Sequence, residues 1–242
     1  MHEIFKLMQG DCLQLMQEIP DKSIDMILCD LPYGTTSCKW DIVIPFETLW
    51  EQYKRIIKDN AVIVLFGSEP FASKLRMSNL EMYRYDWVWD KVKPSGHLNA
   101  KNMPLKQHEI IMIFSKNKIN YYPVMTECKE RKVKNYLSAK TDLYGEETQV
   151  EHTTKYKYPK TILPFSNAIQ KGKLHPTQKP VELLEYLIKT YTNEGETVLD
   201  NCMGSGSTGI ACKNTNRDFI GIELDENYFN IAKQRIEGVI NE

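Results

Sequence analysis

Apolar positions in this chain fall into two patterns. Short continuous runs bounded by turn residues, "SIDMILC", "AVIVLFG", "YRYDWVWDK", "EIIMIFSK", "TVLDNC" and "FIGIEL", read as strands buried in a sheet. Stretches whose apolar residues recur three and four positions apart read as helices: "CLQLMQEI", stopping near Pro20; "FETLWEQYKRIIKD", with a stripe through Leu49, Tyr53, Ile56 and Ile57; "EPFASKLRMSN"; "KPVELLEYLIKTYT", with Pro180 in its first turn; "TGIACKNT"; and "ENYFNIAKQRIEGVI". Strands and helices alternate, which predicts an α/β fold, a mostly parallel, doubly wound sheet with helices on both faces. Between Asn120 and Lys171 neither period is sustained, so this stretch is read as an insertion or small subdomain. The expected organisation is 1–119 and 172–242 as two halves of one domain, with 120–171 inserted between them.

Composition changes this picture little. The 242 residues are 42% hydrophobic and 26% charged, and no apolar run approaches the roughly 20 residues that span a bilayer. The opening "MHEIFKLMQGDC" lacks the pattern of a secretory signal, so the expectation is a cytoplasmic protein with no membrane association. Six scattered cysteines form no C-x-x-C pair and indicate neither a metal site nor a disulfide framework. His97, His108 and His152 likewise lack ligand spacing. Charge is more informative. The net value of −1 conceals a basic block: Asp90 to Lys179 carries 17 Lys and Arg against 8 Asp and Glu, and the remainder carries 14 against 24.

Candidate chemistry sits in two places. "VLDNCMGSGSTGIA" places Gly204, Gly206 and Gly209 as G-x-G-x-x-G between a strand and a helix, with the acid Glu223 ending the next strand. Glycines admit close backbone approach, the helix start favours an anionic group, and the acid can accept ribose hydroxyls, which suits an adenosine-containing cofactor. A dehydrogenase needs most of its domain after this unit, yet only 19 residues follow Glu223. The order is therefore permuted, with the cofactor half last. The second place is "CDLPYG", where Asp30 ends an apolar strand and Phe66 and Gly67 end its neighbour. Alone, an Asp before x-Pro is an ordinary turn former.

Taken in order, "DLPYG", "HPTQKP", "DNCMGSGSTG" and "GIELD" resemble the amino-group DNA methyltransferases of the β arrangement, which act on N6 of adenine or N4 of cytosine, with the catalytic motif before the cofactor motif. The resemblance runs from Gly10 to about Ile236. It implies a Rossmann-like fold, S-adenosyl-L-methionine as cofactor, DNA as partner, a target-recognition region between the halves, a place in restriction and modification, and a dimer as a frequent state, with no metal. By resemblance Asp30 and the main-chain carbonyl of Leu31 accept hydrogen bonds from the target amine, and Pro32 and Tyr33 complete the loop, Tyr33 stacking on a flipped base. His175, Thr177 and Lys179 would meet the methionine part of the cofactor, and Asp11 and Cys12 its adenine. Asp200, Gly204, Ser205, Gly206, Ser207, Thr208, Glu223 and Leu224 would line the rest, with Asp30 bordering it.

An acid-first motif is usual for adenine enzymes, so the expected reaction is methyl transfer to adenine N6. The departure is Leu31 where the family has Pro, which keeps the carbonyl and loses ring stiffness. The exocyclic amine is a poor nucleophile, and acceptors that draw its protons restore its lone pair for in-line transfer. In the basic block Lys91, Lys93, Lys101, Lys129, Arg131, Lys132 and Lys134 are candidates for phosphate contact. Cytosine N4 or RNA as acceptor, and a catalytically silent nucleic-acid-binding module, are the competing readings; a protein-amide acceptor fits the motif order poorly, and a nicotinamide oxidoreductase is more distant.

Overall fold

A computed structural model of the chain describes residues 4–35, 41–137, 148–167 and 178–238, with backbone alone for 134–137 and 148–150. In chain order the elements are β1 (Phe5–Gln9), α1 (Cys12–Leu15), β2 (Ile24–Cys29), α2 (Phe46–Ile56), β3 (Ile57–Gly67), α3 (Phe71–Met77), β4 (Tyr83–Ser95) and β5 (Lys106–Phe114). There follow β6 (Thr126–Leu137), β7 (Thr148–Lys157), β8 (Ile162–Pro164), α4 (Val181–Tyr191), β9 (Thr197–Asp200), α5 (Ser207–Asn214), β10 (Asp218–Glu223) and α6 (Glu226–Ile236).

Eight strands form one sheet in the order β1-β10-β9-β2-β3-β5-β4-β8. From β1 to β3 every pairing is parallel; β5 then runs antiparallel to both β3 and β4, and β8 returns parallel to β4. The chain uses the two faces of β2 alternately, as the two-residue period of a strand requires. Ile27 and Cys29 pack with Leu49, Tyr53 and Ile56 of α2 and Phe71 and Leu75 of α3. Met26 and Leu28 pack on the opposite side with Leu183, Leu187 and Ile188 of α4, Ala211 of α5 and Ala232 of α6. Each fully buried Leu or Ile contributes about 1.5–3 kcal/mol, so both layers are secured by the apolar runs read from the sequence.

In the eight-stranded sheet two strands were not foreseen, β1 and β8, both at its edges and five and three residues long. The helix expected over "CLQLMQEI" is one α-helical turn, capped by Asp11, continuing as a 3₁₀ turn over Met16–Glu18. Residues 123–160 form a separate compact unit, in which β6 and β7 pair as an antiparallel hairpin. Among the described residues, no helix is long and apolar enough to cross a membrane.

Candidate active site

The parallel strands deliver their carboxyl ends to one edge of the sheet, the usual place for ligands in such folds. There Asp30, Asp200 and Glu223 end or follow β2, β9 and β10, and a cleft of about 580 Å³ opens between them. Of the residues expected to form the site, Asp11, Cys12, Asp30, Leu31, Pro32, Tyr33, Lys179, Asp200, Gly204, Ser205, Ser207, Thr208, Glu223 and Leu224 line it. Gly206 does not. Its φ of +81° and its contact with α6, where a Cβ would lie 2.9 Å from that of Ala232, make it a packing glycine. Phe66 lines the cleft, whereas Gly67 packs against Ala72 and Met112. His175 and Thr177 lie outside the described residues.

The loop after β2 is held at several points. Leu31 is 3% exposed and belongs to the core beneath the loop, so its side chain anchors what a second proline would otherwise stiffen. Both oxygens of Asp41 accept main-chain N–H bonds, from Gly34 at 2.8 Å and Thr35 at 2.9 Å, closing the turn in which Gly34 adopts φ +68°. The Tyr33 hydroxyl donates to Asp30 Oδ1 at 2.7 Å, while its ring stacks on Phe71 with centroids 4.8 Å apart.

Asp30 Oδ2 accepts a hydrogen bond from Lys179 Nζ. The same ammonium lies 3.4 Å from Glu109 Oε2, and Glu109 Oε1 pairs with Lys91 Nζ at 2.5 Å. Lys179 is 8% exposed and sits 5.1 Å from the Phe66 ring centroid and 5.9 Å from that of Trp89. The antiparallel strands explain this convergence. Trp89 pairs with Glu109, and Ile110 pairs with Gly67 at the carboxyl end of β3, so β5 enters the sheet at the cleft and β4 leaves there. Burial raises the Asp30 carboxyl above its ordinary range, with Lys179 opposing and Glu109 reinforcing the shift. For Glu109 burial is outweighed by the two ammonium groups, and its carboxyl is held below the usual range. Lys179 is raised because the two carboxylates overcome the cost of burial.

On the glycine-loop side, Asp200 accepts from the Cys202 N–H at 3.1 Å and the Thr208 hydroxyl at 2.6 Å, and burial pushes its carboxyl up to about 6. Glu223 receives the Gly204 N–H on Oε2 and the Asp225 N–H on Oε1, each at 2.8 Å, and burial raises it as well. Buried Arg235 on α6 donates to the Ser205 carbonyl at 2.5 Å and fixes the loop from behind. Asp11 caps α1 by accepting from the Gln14 N–H at 3.1 Å.

The DNA methylase family model matches residues 24–234, most of the chain. The chain belongs to the DNA methylase family. Among curated proteins, this methylase is 27% identical to type II methyltransferase M.HpaI of Haemophilus parainfluenzae, covering 98% of this chain and 75% of that one. It is 26% identical to type II methyltransferase M.HinfI of Haemophilus influenzae, covering 96% and 68%. Among solved structures, the M1.HpyAVI–SAM complex superposes with a TM-score of 0.67 at 25% identity, over 96% of this chain and 99% of that one. The cytosine-N4-specific PvuII DNA methyltransferase shares the fold at TM-score 0.68 and 15% identity, over 96% and 86%.

Several site residues of the methylase carried no motif. Glu109, Asp41 and Arg235 are reached only through tertiary contacts; the one available signal is that Glu109 is the first acid after an acid-free stretch from Lys91 to His108. Lys91, expected among the DNA-facing lysines, has a side chain 12% exposed and paired with Glu109. Lys93, Lys101, Lys129, Arg131 and Lys132 are exposed, and Lys134 lies on β6, where only backbone is described.

Proposed function

We propose that this methylase transfers a methyl group from S-adenosyl-L-methionine to the N6 amine of an adenine flipped out of DNA. The observation that supports the reading is that Asp30 and Glu223 line one cleft; in this reading the first acid faces the amine and the second the ribose. Glu223 spends one acceptor position per oxygen on main-chain N–H groups, which leaves lone pairs for two ribose hydroxyls. This acceptor set, with the exposed Leu224 beside it, fits the adenosine part of the cofactor. When bound, the cofactor supplies an electrophilic methyl group on a sulfonium sulfur.

The protein's own contribution is orientation and charge. Asp30 and the Leu31 carbonyl accept the two amino protons, so the nitrogen lone pair turns toward the methyl group rather than into the ring. With the methyl group passed from the sulfonium sulfur to the amine nitrogen, the amine would be cationic, and Asp30 would take the proton it releases. Burial of Asp30 makes it a better acceptor than a solvated aspartate. The exposed cations Lys93, Lys101, Lys129, Arg131 and Lys132 supply phosphate contacts, with 123–160 as the target-recognition unit.

Expression in cells devoid of adenine methylation, followed by modification-sensitive sequencing, tests this reading. A consensus carrying N6-methyladenine is expected. N4-methylcytosine at a consensus would transfer the mechanism to the other amine, and an unmodified genome with folded protein present would overturn it.

A further inference from the structure

The mechanism above leaves a second carboxylate beside Asp30 unused. Lys91, Glu109, Lys179 and Asp30 form a file of alternating charge, each touching the next, contributed in turn by β4, β5, the segment before α4 and the loop after β2. Its two carboxylates are unequally satisfied. Asp30 has a donor on each oxygen, Tyr33 on Oδ1 and Lys179 on Oδ2. Glu109 is engaged by Lys91 on Oε1, whereas Oε2 is buried, makes no hydrogen bond and faces Lys179 Nζ at 3.4 Å. A buried acceptor left short of a donor is costly, and here the donor is one small movement away.

The same arrangement obstructs catalysis as it stands. An aspartate oxygen held by an ammonium is a weakened acceptor for a neutral amine. Releasing that ammonium without another partner would leave an uncompensated charge in a buried site between Phe66 and Trp89. Resting on the methyl-transfer reading, we infer that Glu109 is a positioning residue that receives the Lys179 ammonium when the target amine takes its place on Asp30. Lys91 keeps Glu109 ionised for this exchange, and Glu109 in turn keeps Lys179 protonated. No covalent bond changes in the exchange; the proton later released by the methylated amine goes to Asp30, not to either lysine. The groups facing Asp30 are Lys179, Glu109, Tyr33, Cys29 and Asp200. Of the two carboxylates in the file, burial and Glu109 raise Asp30, while the two ammoniums lower Glu109, so the acceptor and the counter-ion are already differentiated.

Glu109→Gln in the full chain tests this with one reading that needs no turnover. Carbon-13 carboxyl NMR of labelled aspartate, assigned with Asp30→Asn, should show Asp30 titrating at lower pH in Glu109→Gln, because a negative neighbour is gone and Lys179 stays on Asp30. Single-turnover methyl transfer should fall at least about tenfold, with its acid limb moved to lower pH and S-adenosylmethionine affinity unchanged. Glu109→Asp should restore the Asp30 titration and part of the rate. Unchanged Asp30 titration, or unchanged transfer, in Glu109→Gln overturns the inference. If Glu109→Gln does not fold, Glu109→Asp carries the test: transfer slowed at unchanged cofactor affinity is expected, and a wild-type rate overturns it. A wild-type protein that methylates no DNA would fail the parent reading instead, and the NMR titration would still judge the role of Glu109.

Discussion

Leu31 stands where the resembling family has proline, and its effect is decided by burial rather than by backbone stiffness. A proline restricts the loop through its ring; Leu31 restricts it by entering the core, and Asp41 completes the restraint through Gly34 and Thr35. Asp41→Ala leaves two main-chain donors without their acceptor. Methyl transfer by this variant should fall about tenfold or more while cofactor affinity measured by calorimetry stays near wild type, because the two main-chain bonds lost at Gly34 and Thr35 hold the loop that follows Asp30. That Asp30, Tyr33 and Glu223 line the cleft was legible because Asp30 and Tyr33 stand in a proline turn after an apolar strand and Glu223 ends the strand that follows the glycine loop. Asp41 and Glu109 were not. The partners of Asp41 are six and seven residues away, those of Glu109 lie on β4 and in the segment before α4, and nothing in the linear order records such contacts.

At the scale of elements, the strands with continuous apolar runs were readable because both of their faces are buried, and β2, β3, β9 and β10 pair in parallel, as expected of a mostly parallel sheet. The antiparallel β5 was not distinguishable from a parallel strand by composition, yet its direction is what brings Glu109 to the cleft. The β6–β7 hairpin escaped because its described side chains are exposed or half-buried, so no apolar alternation marks the pairing. Strand-end acids also have a measurable cost. Burial pushes the Asp200 carboxyl up to about 6 in the folded protein, from an ordinary value of 3.8. The folded state therefore binds more protons in that window, and this group withdraws stability as pH rises through it. Asp200→Asn removes the effect: its stability relative to wild type, from urea unfolding, should improve by roughly 2 kcal/mol between pH 4 and pH 7. A difference independent of pH would show that Asp200 ionises normally.

For the whole molecule, the near-zero net charge conceals a division of labour. The basic block from Asp90 to Lys179 contains both the compact 123–160 unit and the lysines that hold the cleft carboxylates, so one compositional signal has two structural outcomes. Lys129, Arg131 and Lys132 are exposed on β6. Replacing all three by Gln should weaken DNA binding and reduce the slope of log affinity against log salt by about 2–3, leaving S-adenosylmethionine binding intact. Equal salt slopes would remove these residues from the DNA contact. Asp30 acting on an adenine amine is the central requirement of this chemistry, and one comparison addresses it directly. Wild type and Asp30→Ala are incubated with unmethylated DNA and S-adenosylmethionine, and the digested nucleosides are quantified by mass spectrometry alongside cofactor affinity. N6-methyldeoxyadenosine from wild type, with transfer reduced by about a thousandfold or more in Asp30→Ala at near-wild-type cofactor affinity, is the expected result. N4-methyldeoxycytidine as the sole product, or Asp30→Ala methylating adenine at the wild-type rate, would contradict it.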